Sequence, residues 1–457
     1  MIHAALRPTS LLALLAITAC GDEAPTEPVG PSAPTAVITS PASGLAIREG
    51  TPVGLAGRAT DPQDGTIGDA ALAWSSSIDG ALGTGSSLEV AAPSVGVHTI
   101  TLTATDSDGN TGAASVSVLV EALEFIDGTA DDGEIGIVVN SLGNAIRLFQ
   151  LGDADERRDI ALGASSAVTP TGLAIRGETA VVPLGNAASV AVIDLRTRQI
   201  DGFFLFESGN ATGSAFVDER TVLAANQETD QVGRFMLEQV GNAIGDLVSV
   251  AQFPTAIVPW VDSLAFVISA NLDDNYAAAG DGVVTAIDPR TMTATAEIET
   301  GGTNPQFGAI GPDGMLYVMN TGDYVTASTV AIIDPGSLAR IELVEGFPAG
   351  SGHVHVSQSG TLFASAFFTG TVAWSTATKA FVRDGTNPIC APLDGGGCRG
   401  AFAAHTAADG ALYQTFFGSP SAGLPPQIFR YAPETLVLTD SIDSGPGPVG
   451  LEIRSFR

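Results

Sequence analysis

The feature that most constrains this chain is a four-strand unit that returns again and again along its C-terminal three quarters. Its plainest copy is PTGLAIRGETAVVPLGNAASVAVIDLRTRQIDGF, residues 170–203. Short runs that alternate or are wholly apolar (GLAI, TAVVPL, SVAVIDL, QIDGF) are separated by turns at Arg176-Gly177-Glu178, Gly185-Asn186 and Arg196-Thr197-Arg198. Runs of that length between turn residues read as β-strands. Four strands repeating at a spacing of several tens of residues make one blade of a propeller.

Further copies fill residues 124–457. GEIGIVVN, AIRLFQL and DIALG supply three strands of blade one, and blades three to seven follow residue 203. The tail PVGLEIR at 448–454 nearly copies PTGLAIR at 170–176, the first strand of a blade, which blade one lacks. The C-terminus is therefore expected to complete blade one and close a ring of seven, removing two exposed sheet edges.

At 457 residues the chain exceeds one ordinary core. The 54 glycines and 15% charged residues suit an all-β protein rich in tight turns. Residues 36–121 show strand–turn alternation with turns every eight to twelve residues, as in an immunoglobulin-like sandwich. The fold expected is all-β: an N-terminal Ig-like β-sandwich, then a seven-bladed β-propeller closed by the C-terminal strand. Fifty acidic against 19 basic residues give a net charge of −31, which repels polyphosphate and excludes nucleic acid as a partner.

Residues 1–19 carry Arg7, then the apolar run LLALLAI at 11–17, too short to span a bilayer, as in a signal peptide. Residues 20–35 are a Pro-rich, acidic tether. ITAC at 17–20 resembles the lipobox of bacterial lipoproteins, with Ile17 in place of the usual Leu. That resemblance implies an acylated Cys20, a lipid bilayer as partner and a place in the cell envelope. With Gly21 rather than Asp after the cysteine, it resembles the outer-membrane sorting pattern of two-membrane cells. The segments ATDPQDG, LAWSSSIDGALGTG and GVHTITLTATDSDGNTGAASVSV resemble bacterial Ig-like and polycystic-kidney-disease-type domains, with Trp74 as core tryptophan. PDGMLYVMN with VAIIDPGSL, and VTAIDPRTM, resemble YVTN-type propeller repeats, as do Asn140, Asn226, Asn271 and Asn320 at the ends of second strands. That superfamily includes binding and scaffold proteins, lactonases, and non-catalytic subunits of quinoprotein dehydrogenases, so the fold does not choose a function.

Function on a rigid scaffold gathers in long loops. The long loops fall on one face over blades four to seven. They carry Asp273, Asp274, Asn275 and Tyr276 in blade four, and Asp323 and Tyr324 in blade five. Asn304, His353, Arg399 and His405 stand in the segments leading into first strands, and the ten residues form the expected ligand face. His353 and His405 could act as a metal ligand or general base at the channel mouth, or make hydrogen bonds between blades. Cys390 and Cys398 bracket APLDGGG, and in an exported protein a disulfide is expected there. Closing so short a loop contributes about 2–3 kcal/mol in the chain-entropy account. Calcium is the one cofactor the sequence invites, at Asp61, Asp64, Asp106 and Asp108; the competing reading is Asx-turn chemistry.

No Ser-His-Asp or paired-carboxylate constellation can be assembled from the sequence. The expectation is a binding or scaffold protein with a protein or glycan ligand on the propeller face. A lactonase or metal-assisted hydrolase is the alternative, and would need at least three oxygen or nitrogen ligands converging near the axis. An accessory to a redox partner is a third reading. Replacing Cys20 with Ser is expected to release the protein from the membrane fraction of cells; undiminished membrane retention contradicts the lipobox reading.

Overall fold

The computed structural model describes residues 32–48, 51–90, 93–121, 134–151, 153–261, 263–273, 275–394 and 396–455. Cys20, the signal segment, most of the tether and Asp274 lie outside the described residues. The chain divides into two compact units between residues 122 and 123.

The first unit is a sandwich of two sheets. One holds Thr35–Ser40, Val53–Asp61, Gly65–Thr66 and Ser87–Val90. The other orders Leu45–Arg48, Thr111–Glu121, Gly96–Thr105, Leu72–Ser76 and Gly80–Thr84, with Leu45–Arg48 joining in parallel. Along Val53–Asp61 every second residue is buried, the period of a strand with one face on a core. Leu55, Leu72, Trp74, Leu102 and Val118 fill that core. The Trp74 indole N–H donates to the Gly85 carbonyl at 2.9 Å, so its one polar group is satisfied inside.

The four aspartates weighed for calcium are engaged in turns. Asp61 Oδ1 accepts from the Gln63 and Asp64 amides, and Asp106 Oδ1 from the Asp108 and Asn110 amides. Asp64 ties the two loops together by accepting from the Ser107 amide and hydroxyl. Asp108 contributes its amide to this network and is itself exposed.

The second unit is seven four-stranded antiparallel sheets. The first strands of blades two to seven are Ala174–Arg176, Ala211–Phe216, Pro254–Val261, Pro305–Ile310, Ser351–Val356 and Ala404–Thr406. Pro448–Ser455 takes that position in blade one, antiparallel to Glu134–Asn140. The second strands are buried along nearly their whole length, Thr221–Asn226 and Leu316–Asn320 at every residue. The reason is that each sheet is covered on both faces. Seven apolar clusters lie one between each pair of neighbouring blades, including one of Val138, Phe149, Tyr413, Ile428, Leu451 and Ile453 between blades seven and one.

Near the axis the strands converge and space is short. A Cβ on Gly213 would stand 2.7 Å from the Ala256 Cα of the next blade, so only glycine fits. The asparagines that end second strands act as latches. Asn140 Nδ2 donates to the Ser444 carbonyl at 2.7 Å and Asn226 Nδ2 to the Ser208 carbonyl at 2.8 Å, each holding the segment that leads into a first strand. Asn271 and Asn320 instead hold their own blades, donating to the Asp281 carbonyl and the Thr329 hydroxyl.

Polar contacts also seal blade seven to blade one. Both Glu134 carboxylate oxygens accept from the Ala408 amide, and Arg147 bridges Asp159 and Asp443 at 2.7 and 2.9 Å. Asn140→Ala, which leaves the Ser444 carbonyl without its donor, is expected to cost about 1–3 kcal/mol in chemical denaturation. An unchanged midpoint contradicts the latch.

Candidate functional site

The inner strands surround a channel, one mouth of which opens on the face of the long loops. At one equivalent position near the start of the first strand, the blades present Thr171, Thr212, Thr255, Gln306, Gly352, Phe402 and Val449 to this mouth, in order from blade two round to blade one. The ring is polarised. At that position blades two to five offer hydroxyls and an amide, and blades six, seven and one a bare backbone, a phenyl ring and an isopropyl group; the Ser141 hydroxyl of blade one and the His353 imidazole of blade six also reach the wall.

The polar half is held by the fold itself. Thr171 Oγ1 donates to the Thr212 carbonyl at 2.8 Å, Thr212 Oγ1 to Pro254 O at 2.9 Å, and Thr255 Oγ1 to Pro305 O at 3.2 Å. The Thr171 and Thr212 hydroxyls thus fasten each blade to the next, while Thr255 Oγ1 also reaches Ile268 O of its own blade at 3.1 Å; each spends its one hydrogen and keeps acceptor lone pairs. Gln306 Nε2 donates to Asn304 Oδ1, and Asn210 Nδ2 to Gln227 Oε1.

The apolar half continues outward as a run of rings over blades five to seven. Tyr324 meets Phe367 edge-on at 6.4 Å, Phe367 meets Phe402 at 4.7 Å, and Phe402 lies near Phe417 at 6.0 Å. Phe368 follows in the same turn and is 70% exposed. Inside the mouth Phe307 packs against His353 at 5.2 Å. The mouth encloses a cavity of about 380 Å³, and no Asp, Glu, Lys or Arg lines it. In a chain with 50 acidic residues that is a marked exclusion of charge.

The disulfide supports the aromatic side. Cys390 and Cys398 are bonded, with Cα atoms 5.5 Å apart. Ile389 pairs with Thr371 of blade six, and the Ala401 amide donates to Ala366 O at 2.8 Å, next to Phe367. The cystine loop is thereby fastened to the turn that carries Phe367 and Phe368.

Of the ten residues expected to form the ligand face, the structure brings Tyr324 and His353 together at the mouth. Asp273 and Tyr276 line a separate, acidic pocket of about 310 Å³ over blades two to four, with Glu228, Asp230 and Phe253. Asn210 and Gln227 are common to both pockets. Tyr276 is 74% exposed and packs edge-on against Phe253. Asn275 is exposed in the turn where Asp273 accepts the Asn275 and Ala277 amides, contacts that hold the Asp273 carboxyl below its usual range.

The others do structural work instead. Asp323 accepts from the Thr326 and Val325 amides, which press its pKa down to about 2. Asn304 is buried and spans Gly322 O and Gln306. The Arg399 guanidinium lies 5.5 Å from both the Phe416 and Phe429 rings and donates to Gln427. His405 does not reach the mouth with His353. It stands at the opposite opening, tilted against His355 with ring centres 4.1 Å apart and 3.5 Å from Glu452, beside Thr406 and Arg454. A short inner strand runs from one opening to the other, so first-strand residues separate along the axis. Phe367, Phe402 and Phe417 went unread in the sequence, although aromatics at blade positions held elsewhere by Thr or Gly were a usable signal.

Burial, reinforced by the positive charge His405 would carry, pushes the His353 imidazole down to about 4. Burial also lowers His355 and His405, with Glu452 partly opposing it at His405. Among the described residues no three His, Cys, Asp or Glu side chains are grouped to hold a metal ion.

No protein-family model matches the chain and no curated protein is similar to it. Many solved structures share the fold. Hydrazine synthase of Kuenenia stuttgartiensis is similar at a TM-score of 0.49 and 15% identity, covering 63% of this chain and 90% of that one.

The histidines give the protein an acid sensitivity of definite sign. Below about pH 6.5 the unfolded chain takes up protons that the neutral, buried imidazoles refuse, so stability falls as pH drops from 6.5 toward 4. The thermal midpoint is expected to fall over that window, and less so in His353→Gln. Equal slopes in the two proteins contradict the assignment to His353.

Proposed function

We propose that this chain is an envelope-anchored binding protein: a bacterial lipoprotein held to the lipid bilayer through acylated Cys20, in the outer membrane where two membranes exist. An Ig-like, polycystic-kidney-disease-type module separates the anchor from a YVTN-type propeller, and the ligand docks on the long-loop face. The observation that carries the reading is the charge-free mouth walled by Tyr324, Phe367 and Phe402. Exposed aromatic rings on a rigid, disulfide-supported rim are the surface type that recognition uses. The groups at hand are neutral hydroxyls, amides and rings, which hold a molecule by shape and hydrogen bonds. They supply neither a nucleophile paired with a base nor a carboxylate dyad.

Phe368, exposed beside the mouth and outside the buried core, is the site for the test. Photo-cross-linking on intact cells is expected to capture partners with wild type and to lose most of that yield with Phe368→Arg. A variant that is equally anchored and equally folded, yet captures the same partners in the same yield, contradicts the placement of the binding face.

A further inference from the structure

We propose that the mouth binds the end of an uncharged oligosaccharide, with sugar rings against Tyr324, Phe367 and Phe402 and hydroxyls directed to the Thr and amide groups of blades two to five. The inference rests on the loop face being the binding face, and names the chemistry that face selects.

The first ground is hydrogen-bond polarity. The hydrogens of the Thr171, Thr212 and Thr255 hydroxyls are committed to main-chain carbonyls. One amide hydrogen of Gln306 and one of Asn210 point to neighbouring side-chain oxygens, and each amide keeps a second hydrogen to give. What remains on this half is acceptor lone pairs on the three hydroxyls beside amide hydrogens of Gln306, Asn210 and Gln227. A ligand that satisfies both must carry donors and acceptors over a short span. Sugar hydroxyls offer that density, whereas a peptide strand offers one backbone N–H per residue.

The second ground is charge. A cationic donor such as an amine would also suit acceptors, but it would have to shed water in a basin without a single carboxylate on its wall. The carboxylates Glu228, Asp230 and Asp273 sit in the neighbouring pocket instead. An anionic ligand meets acceptor lone pairs and a net charge of −31. A neutral ligand fits both conditions, and His353, kept uncharged by burial, adds none.

The third ground is shape. Pyranose rings present C–H faces that pack flat on aromatic rings while their edges carry hydroxyls. The mouth pairs the same two surfaces, aromatic on blades five to seven and polar on blades two to five. A cavity of about 380 Å³ is at the small end for ligand sites, which suits a chain end rather than a threaded polymer.

The test uses the full-length protein in detergent micelles with cellohexaose, maltohexaose and chitohexaose as neutral probes and oligogalacturonate as the acidic one. Saturation-transfer NMR detects contact and fluorescence titration gives affinity. At least one neutral probe is expected to bind. Phe402→Ala and Tyr324→Ala are expected to weaken it by about tenfold each. Phe402→Tyr, which keeps the ring, and Asp230→Asn, in the neighbouring pocket, are expected to leave it near wild type, with the thermal midpoint reporting that each variant folds. The proposal is overturned if no neutral probe binds, if oligogalacturonate binds better, or if the alanine variants bind as wild type does. Should the probes fail while Phe368→Arg still abolishes cross-linking on cells, the saccharide is wrong and the loop face stands as a protein-binding surface. Should a neutral probe bind at the mouth while Phe368→Arg changes nothing on cells, the saccharide site stands and the wider docking face is wrong.

Discussion

The pairing of Pro448–Ser455 with Glu134–Asn140 is the constraint on which the propeller depends. Sheets twisted about a common axis bury their faces against one another, and a row of seven would still end in two uncovered faces. Bringing the last strand into the first sheet makes the final face-to-face contact part of one covalent unit. Leu451 and Ile453 then reach the cluster of Phe149, Tyr413 and Ile428 between blades seven and one. Arg147 and Glu134 add charge-assisted contacts across the same seam. Without this strand blade one would lack its innermost edge, and the channel mouth would lack Val449.

Closure also explains why the mouth can be specific. Residues from all seven blades meet there, although they lie more than 270 positions apart in sequence, from Thr171 to Val449. Hydroxyl-to-carbonyl bonds from blade to blade fix the polar half, and the cystine loop steadies the aromatic half. A site built this way is organised before any ligand arrives, so less ordering cost falls on binding. The acidic pocket beside it shares Asn210 and Gln227, and a longer ligand leaving the mouth would pass those two residues first.

The blades were legible in the sequence because both of their signals are local. Mostly apolar second strands and Gly- or Asp-containing turns need no knowledge of neighbours, and the tail at 448–454 announced closure by nearly copying residues 170–176. The site was only partly legible because it is an assembly of single residues from distant repeats. Tyr324 and His353 were found through loop length and residue type, but the same reasoning swept in Asp323, Asn304 and Arg399. Those side chains are consumed by turn amides, a neighbouring carbonyl and two phenyl rings. Polar residues in long loops are often there to build the loop. His405 misled for a geometric reason: a first strand spans the ring's thickness, so a histidine on it can belong to either opening.

Amide hydrogen exchange on the full-length chain, followed strand by strand, tests most directly whether the ring is closed as described. Those amides of Val449–Ser455 that pair with Glu134–Asn140 are expected to exchange as slowly as the amides of that partner strand, both opening only with the whole propeller. Exchange of 448–455 within seconds, while the second strands of blades three to five stay protected, would contradict a ring sealed by its C-terminal strand and the preformed mouth that follows from it.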